Sequence, residues 1–128
     1  MSSMKMSRLE SALRTVLEFT EAFGRGDVEG MMALTSDECK LECAWPAPDG
    51  AACAGRDALA RHWRDFFSGR SGMRREVEEA FGLGFRCVLR WKDSWVDRDG
   101  ERMQERGVDI FDVRNGSIKE QLSYMKGS

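Results

Sequence analysis

The sequence predicts an α+β domain in which helices pack on one face of a curved antiparallel sheet. Three observations lead to this prediction. Apolar residues recur every three or four positions in several segments of the first half, which is typical of amphipathic helices. From Met73 onward the apolar spacing changes to two, as in strands with one buried face. The turn signals "DRDG" at 97–100 and "NG" at 115–116 then divide that half into antiparallel strands.

The first helix is predicted from about Ser7 to Gly24, over an apolar stripe with charges between its members. The stretch "GRGD" interrupts this stripe. Gly24 and Gly26 suit a C-terminal cap, and Asp27 suits the N-cap of a short second helix over Val28–Leu34.

A short strand, Cys39–Trp45, is predicted from alternation in "CKLECAW". The following residues 46–55, "PAPDGAACAG", contain both prolines of the chain and are interpreted as a loop. A third helix is predicted over Arg56–Ser68, where large apolar residues form a stripe. His62 lies on the border of that stripe, a position more typical of a packed or surface residue than of a catalyst.

The remaining strands are predicted over "RREVEEAF", "FRCVLRWKDSW", Arg102–Arg114 and Ser117–Met125. In the third of them, alternation places Asp109 on the same face as Gly107 and Phe111. A carboxylate among apolar neighbours is costly unless it is hydrogen-bonded, paired or protonated. What this face looks onto is therefore the central question about function.

The composition excludes several classes of function. Apolar residues make up 41% and charged residues 33% of the 128 positions, which is the balance of a globular domain. A net charge of -2 gives no electrostatic case for nucleic acid or an anionic membrane. No apolar run is long enough to span a bilayer, and the N-terminus has no secretory h-region. A cytoplasmic protein is expected.

Metal and disulfide chemistry are not indicated by the cysteines. Cys39, Cys43, Cys53 and Cys87 form no CxxC pair, and His62 is the one histidine. We expect no metal and no other cofactor. Free thiols acting as small buried hydrophobes are the expected state of the four cysteines in a reducing compartment.

The order of these elements resembles the nuclear transport factor 2-like superfamily, in its SnoaL-like (polyketide cyclase-like) branch. The resemblance is carried by "AFGRGDVEGMMAL", the "PAPDG" loop, the helix opening "GRDAL" and the hairpin "RGVDIFDVRNGSIKEQLSY". It implies one SnoaL-like domain over residues 1–128, with 1–6 as a flexible N-terminal segment. It also implies a cone-shaped, cystatin-like fold, in which the curved sheet wraps the long first helix and leaves an apolar cavity at the open end.

The resemblance implies a pocket carboxyl at Asp109. In SnoaL-like cyclases the similar group is a general acid/base, and in ketosteroid isomerases it is protonated and donates to an oxyanion. Burial disfavours the charged form of a carboxyl, so a buried acid can give a proton near neutral pH. The alternative is a structural carboxylate that pairs with an arginine such as Arg90 or Arg106.

Asp93 is a second candidate acid, with a more ordinary alternative in which it lies in water near the cavity mouth. Its position resembles an acid of limonene epoxide hydrolases, but the arginine of that family is replaced by Trp91 and the late carboxylate is missing. Epoxide hydrolysis is therefore not expected. The isomerase pattern also fails. Its general base would stand at Glu42 or Cys43, a buried thiol is a poor base, and the tyrosine of its first helix is replaced by Phe19.

The cavity is predicted to be aromatic and soft, suited to a flat, largely apolar ligand. Core packing is the alternative for each residue that could line it. These are Phe19, Phe23, Cys43, Trp45, Trp63, Phe67, Trp91, Trp95, Phe111 and Met125.

Two functions remain open at this level. The first is a cofactor-independent enzyme that binds a hydrophobic small molecule and catalyses cyclisation, isomerisation or dehydration, with Asp109 as acid/base. The second is a non-catalytic ligand-binding or assembly domain of the same fold. The resemblance also implies a homodimer through the convex face of the sheet, where Val88, Val108 and Ile110 stand, with Ile118, Leu122 and Tyr124 from the last strand. The alternative is a monomer in which the long arginine and lysine side chains beside these residues cover the apolar patch.

Overall fold

Three helices and six strands are found in the computed structural model, which describes residues 8–46 and 48–126. The predicted α+β class is confirmed. The helices are α1 (Arg8–Gly24), α2 (Val28–Ala33) and α3 (Arg56–Ser68). The strands are β1 (Thr35–Cys43), β2 (Ala51–Ala54), β3 (Ser71–Leu83), β4 (Arg86–Val96), β5 (Arg102–Arg114) and β6 (Ser117–Met125).

The six strands form one sheet in the order β2-β1-β6-β5-β4-β3. All neighbours are antiparallel except β1 and β6, which run parallel. Helix α1 lies across the inner face and contacts β3, β4, β5 and β6. Its apolar stripe supplies Val16, Phe19 and Phe23, all at most 1% exposed, to the core between helix and sheet. The side chain of Asp109 lies on this inner face.

The predicted boundaries agree closely where the sequence carries a turn or cap signal. Helix α3 and strands β5 and β6 have the predicted bounds. Asp27 caps α2 as predicted, since its carboxylate accepts a hydrogen bond from the amide of Gly30 at 2.9 Å. The helix itself ends one residue early, at Ala33. Ser7 and the predicted flexible segment 1–6 lie outside the described residues.

The first part of the sheet differs from the prediction. Strand β1 begins four residues early, at Thr35, and ends at Cys43 rather than Trp45. The predicted loop contains a strand, β2, which pairs antiparallel with β1 and sets Cys53 opposite Leu41. Small residues such as those of "AACA" have little strand propensity, so this pairing depends on backbone hydrogen bonds that the sequence pattern does not reveal.

A bulge reverses the predicted role of Ile118. The register between β5 and β6 shifts after the pair Asp112–Glu120, so that Val113 opposes Ile118. Ile118 therefore faces the core, 0% exposed, and is not part of the outer face as predicted. Leu122 and Tyr124 lie beyond the shift and keep the predicted orientation beside Ile110 and Val108.

The described helices are all too short or too polar to cross a membrane.

Candidate active site

Two carboxylates lie on the inner face of the sheet, on adjacent strands and on either side of the Trp91–Gly107 pair. The alternating burial of β4 buries Trp91 and Asp93, and that of β5 buries Gly107 and Asp109. In the register of the two strands, Trp91 opposes Gly107. Both acids are nearly inaccessible, with 2% exposure for Asp93 and 1% for Asp109. The predicted inward orientation of Asp109 is therefore found.

Asp109 accepts hydrogen bonds from three side chains. The indole Nε1 of Trp91 donates to Oδ1 at 3.0 Å, and the amide Nε2 of Gln121 donates to Oδ2 at 3.0 Å. The Nη1 of Arg75 donates a longer bond, 3.4 Å, to the same Oδ2. These donors come from three other strands, so the carboxylate is held in one orientation by the sheet itself.

Asp93 forms a two-pronged ion pair with Arg75. The guanidinium donates from Nε to Oδ1 at 2.7 Å and from Nη2 to Oδ2 at 2.9 Å. The structure therefore contradicts the interpretation that Asp93 lies in water at a cavity mouth. Burial raises the pKa of Asp93, Arg75 lowers it, and the charge of Asp109 adds a further upward contribution. The net shift is upward.

Arg75 joins the two acids into one cluster, Asp93–Arg75–Asp109. Its side chain is only 5% exposed. The guanidinium carbon lies 3.9 Å from the ring centre of Phe23 and 4.2 Å from that of Trp91. The two aromatic contacts and the three hydrogen bonds use both the faces and the edges of the guanidinium.

The sequence reasoning missed Arg75. It named Arg90 and Arg106 as candidate partners, but both lie on the outer face, near the carboxylates of Glu78 and Glu79. Arg75 is paired directly with Asp93 in the register of β3 and β4. Charge balance was the available signal, because two inward acids on adjacent strands require a cation on a neighbouring inward position.

Most of the predicted aromatic residues pack against one another, and Phe23 also contacts the guanidinium of Arg75. Phe23 meets Trp63 at 5.7 Å and Phe67 at 5.2 Å between ring centres, and Phe19 meets Phe111 at 5.8 Å. His62 packs against Trp63 at 4.8 Å, and burial lowers its pKa. Trp45 is half-buried, whereas Trp95 is buried. The part played by these residues as ligand contacts stays a prediction.

A cavity of about 830 Å³ opens at the end of β1, the start of β5 and the end of β6. Its wall is more polar than predicted, and of the predicted ligand contacts it includes Cys43 and Met125. It also includes Glu105 and Ser123, which are the direct cross-strand neighbours of Asp93 and Asp109. The remaining lining residues are Glu42, Ala44, Pro48, Asp49, Gly50, Ala51, Ala52, Gln104, Arg106, Tyr124 and Lys126. Each buried acid is thus the cross-strand neighbour of a residue that lines the cavity.

The four cysteines are free thiols in this structure. Burial raises the pKa of Cys43, which keeps this thiol protonated beside the cavity and unsuited to act as a base. Over residues 8–46 and 48–126, no three His, Cys, Asp or Glu side chains are grouped so as to hold a metal ion.

Comparison with known proteins establishes the family. The model of the SnoaL-like domain matches residues 16–121. The chain belongs to the SnoaL-like family. An NTF2-like protein of unknown function from Mesorhizobium loti shares 34% identity with it, over 95% of this chain and 96% of that one, with a TM-score of 0.77. The predicted superfamily and cone fold are therefore confirmed.

Two more distant structures share the fold of this SnoaL-like protein. One is an LEH-like epoxide hydrolase from M. tuberculosis, with 20% identity, coverage of 95% and 83%, and a TM-score of 0.81. The other is an NTF2-like protein of unknown function from Burkholderia pseudomallei, with 22% identity, coverage of 94% and 92%, and a TM-score of 0.81. A search of curated proteins gives no match.

Proposed function

We propose that this SnoaL-like protein binds a small, largely apolar molecule at the open end of the cone and transfers protons on it without a cofactor. The Asp93–Arg75–Asp109 cluster is the observation that carries the proposal. It brings two buried carboxylates together around one guanidinium, so the cluster has one negative charge in excess. Within it, burial raises the pKa of Asp93, so the cluster contains a carboxyl that takes up a proton more readily than an exposed aspartate.

The two acids differ in their surroundings, and this difference suggests their roles. Asp109 is held by three N–H donors that keep its oxygens fixed as proton acceptors, which suits a general base. The pKa of Asp93 is raised by burial, so Asp93 takes up a proton more readily than an exposed aspartate and, once protonated, can act as the general acid. In an isomerisation, Asp109 would remove a proton from one carbon while Asp93, in its protonated form, protonates the developing oxyanion to give an enol. Asp109 would then deliver its proton to a different carbon as Asp93 takes its proton back from oxygen, so both acids return to their starting state.

Exchange of carbon-bound hydrogen tests the proposal without knowledge of the product. We expect the protein to catalyse exchange at the activated CH₂ of 2-tetralone in D₂O, followed by proton NMR. The variant Asp109→Asn should lower the rate by about 10²–10⁴-fold, since general base catalysis contributes about that much. Asp112→Asn is the matched control, because Asp112 follows on the same strand but pairs with the exposed Arg114.

Binding of 2-tetralone and related ketones without any hydrogen exchange would instead support the alternative, a non-catalytic binding domain. Equal rates for Asp109→Asn and Asp112→Asn would contradict the assignment of Asp109 as the base.

Addition of water to an epoxide is a second candidate reaction, favoured by Arg75. The expectation against it depended on a missing arginine and a missing late carboxylate. Arg75 of β3 supplies a guanidinium between the two acids, and Asp93 and Asp109 supply two carboxylates without the late one. One carboxylate would deprotonate water, the oxygen would attack a ring carbon, and the C–O bond would break. The other acid would protonate the leaving oxygen to give a diol, so that protons balance.

Hydrolysis of styrene oxide in H₂¹⁸O tests this second candidate. We expect one ¹⁸O atom in the diol and loss of turnover in both Asp93→Asn and Asp109→Asn, because each acid has its own step. Diol formation that persists in either variant would exclude the mechanism.

We also propose that two copies associate through the outer face of the sheet. Val88, Ile110 and Leu122 oppose one another in register across β4, β5 and β6 and form a continuous, partly exposed apolar row. Tyr124, at 59% exposure, extends this surface. Such a row on a face without helices is typical of an isologous dimer.

Light scattering should therefore report about twice 14.5 kDa for dilute protein. Ile110→Lys should shift the mass toward the monomer, because it places a charge in the middle of the apolar row. As a control, Leu83→Lys lies at the β3–β4 turn, 84% exposed, and should leave the mass unchanged. A wild-type monomer at micromolar concentration would rule out this interface.

A further inference from the structure

Two arginines lie between helix and sheet, and they differ in how many hydrogen bonds they make. Arg75 uses its Nε and Nη2 atoms, the edge that matches a carboxylate, to bind Asp93. Its third nitrogen reaches Asp109. Arg75 has therefore no free edge for a ligand.

Arg70 is held in a similar aromatic setting without such partners. Its guanidinium carbon lies 3.9 Å from the ring centre of Phe66, 5.0 Å from that of Trp45 and 5.2 Å from that of Trp95. It donates one hydrogen bond, from Nη1 to the carbonyl of Phe66 at 2.9 Å. Among the described residues, its buried Nε has no partner and its guanidinium makes no ion pair.

The Nε–Nη2 edge of Arg70 is thus the same edge that Arg75 uses to bind Asp93, but among the described residues no acceptor is bonded to it, and its Nε is shielded from solvent. A buried guanidinium donor without an acceptor costs free energy, which an anionic ligand would recover. Burial lowers the pKa of Arg70, and the charge of Glu105 opposes this change. Glu105 and Cys43 line the cavity and both feel the charge of Arg70, which is not itself a lining residue.

A second unpartnered donor lies in the same aromatic cluster. Trp63 is 3% exposed, and its indole Nε1 has no hydrogen-bond partner among the described residues. Its ring is 5.3 Å from Phe66, the ring on which Arg70 lies. An indole N–H can only donate, so both unpartnered groups call for acceptor atoms.

We propose that Arg70 is the anchor for a carboxylate on the ligand, held in two-pronged fashion by its Nε and Nη2 atoms. The rings of Trp45, Phe66 and Trp95 would then pack against the apolar body of that ligand. The substrate class is an aromatic or otherwise flat carboxylic acid, present as its anion. This inference names the ligand for the cavity of the proposed function and rests on it for the location of the reaction.

The test compares two probes that differ in charge but hardly in shape, 2-naphthoate and 2-naphthamide. Calorimetry should show wild-type protein binding naphthoate at least tenfold more tightly, since a two-pronged guanidinium–carboxylate pair is lost with the amide. Arg70→Gln should abolish this preference, and Arg70→Lys should reduce it, because an ammonium lacks the planar fork. Arg74→Gln removes the same charge from an exposed neighbour and should leave the preference intact.

A measurement on wild-type protein removes the dependence on a folded variant. The Nε–H signal of Arg70, assigned by NMR, should move downfield on addition of naphthoate and not of naphthamide. Equal binding of the two probes, or a preference that survives Arg70→Gln, would overturn the inference.

Asp109→Asn separates this inference from the proposed function. It should remove proton exchange and retain the preference for naphthoate, because Asp109 is not a ligand of the anion. In the wild-type protein, equal binding of naphthoate and naphthamide with proton exchange intact would overturn the anchor alone. A preference for naphthoate without any proton exchange would overturn the chemistry alone.

Discussion

Arg75→Met should destabilise the protein by about 3–5 kcal/mol at pH 7, the usual effect of removing one partner from a buried ion pair. Methionine fills much of the space between Phe23 and Trp91 but leaves Asp93 and Asp109 without a cation. Since small domains are stable by only about 5–15 kcal/mol, the loss is a large fraction of the total. Urea unfolding followed by tryptophan fluorescence measures it.

The loss should be smaller in mild acid. The pKa of Asp93, already raised by burial, rises further when the cation is absent. An acid whose pKa is raised by folding contributes less stability as pH increases from its ordinary pKa to the raised one. The variant should therefore be more stable near about pH 5 than at pH 7. Asp93→Asn, added to Arg75→Met, should restore part of the stability at pH 7 by removing one of the two charges.

Arg90→Met is the matched control for this prediction. Arg90 is 53% exposed and lies 3.4 Å from a carboxylate oxygen of Glu79 on the outer face. Exposed pairs of this kind contribute about 0–1 kcal/mol. If Arg75→Met costs no more than Arg90→Met, the cluster is not held by the guanidinium and its assignment as the reactive centre fails.

The sequence predicts the fold well where local chemistry determines the backbone. The bounds of β5 and β6 follow from "NG" and from alternation on either side of it, and Asp27 determines where α2 begins. The pairing between strands cannot be predicted from local sequence in the same way. The parallel contact of β1 with β6 depends on backbone bonds between segments far apart in the chain. The strand over Ala51–Ala54 pairs with the nearby β1, but its small residues give no strand pattern that reveals the pairing.

The same division applies to the candidate site. Alternation correctly places Asp109 and Asp93 on the inner face, because a period of two needs no knowledge of tertiary structure. Arg75 could not be paired with Asp93 without the register of β3 and β4, which shifts between Val77 and Glu79. Arg70 follows the last turn of α3, where no periodic pattern assigns a direction to its side chain. The sequence pattern therefore does not determine which residues of different helices and strands contact one another.

Gly107→Ala should destabilise the protein by about 1–3 kcal/mol, the usual effect of an added group in a packed site. A Cβ at this position would meet the ring of Trp91 and, at 2.5 Å, the carbonyl oxygen of Tyr124. The oxygen belongs to paired backbone, since Gly107 opposes Met125 in the ladder of β5 and β6. Most of the adjustment must come from the ring of Trp91.

Displacement of Trp91 has a consequence for the site, because its Nε1 donates to Asp109 at 3.0 Å. Gly107→Ala should therefore shift the indole N–H resonance of Trp91 and lower proton exchange on 2-tetralone, beyond its effect on urea unfolding. Gly24→Ala is the control, since a Cβ there has no atom within 4 Å and stability should be unchanged or slightly higher. An unshifted Trp91 resonance in a destabilised Gly107→Ala variant would show that the position of the Trp91 ring does not depend on the glycine. The interpretation that the absence of a Cβ at Gly107 positions the indole donor would then have to be abandoned.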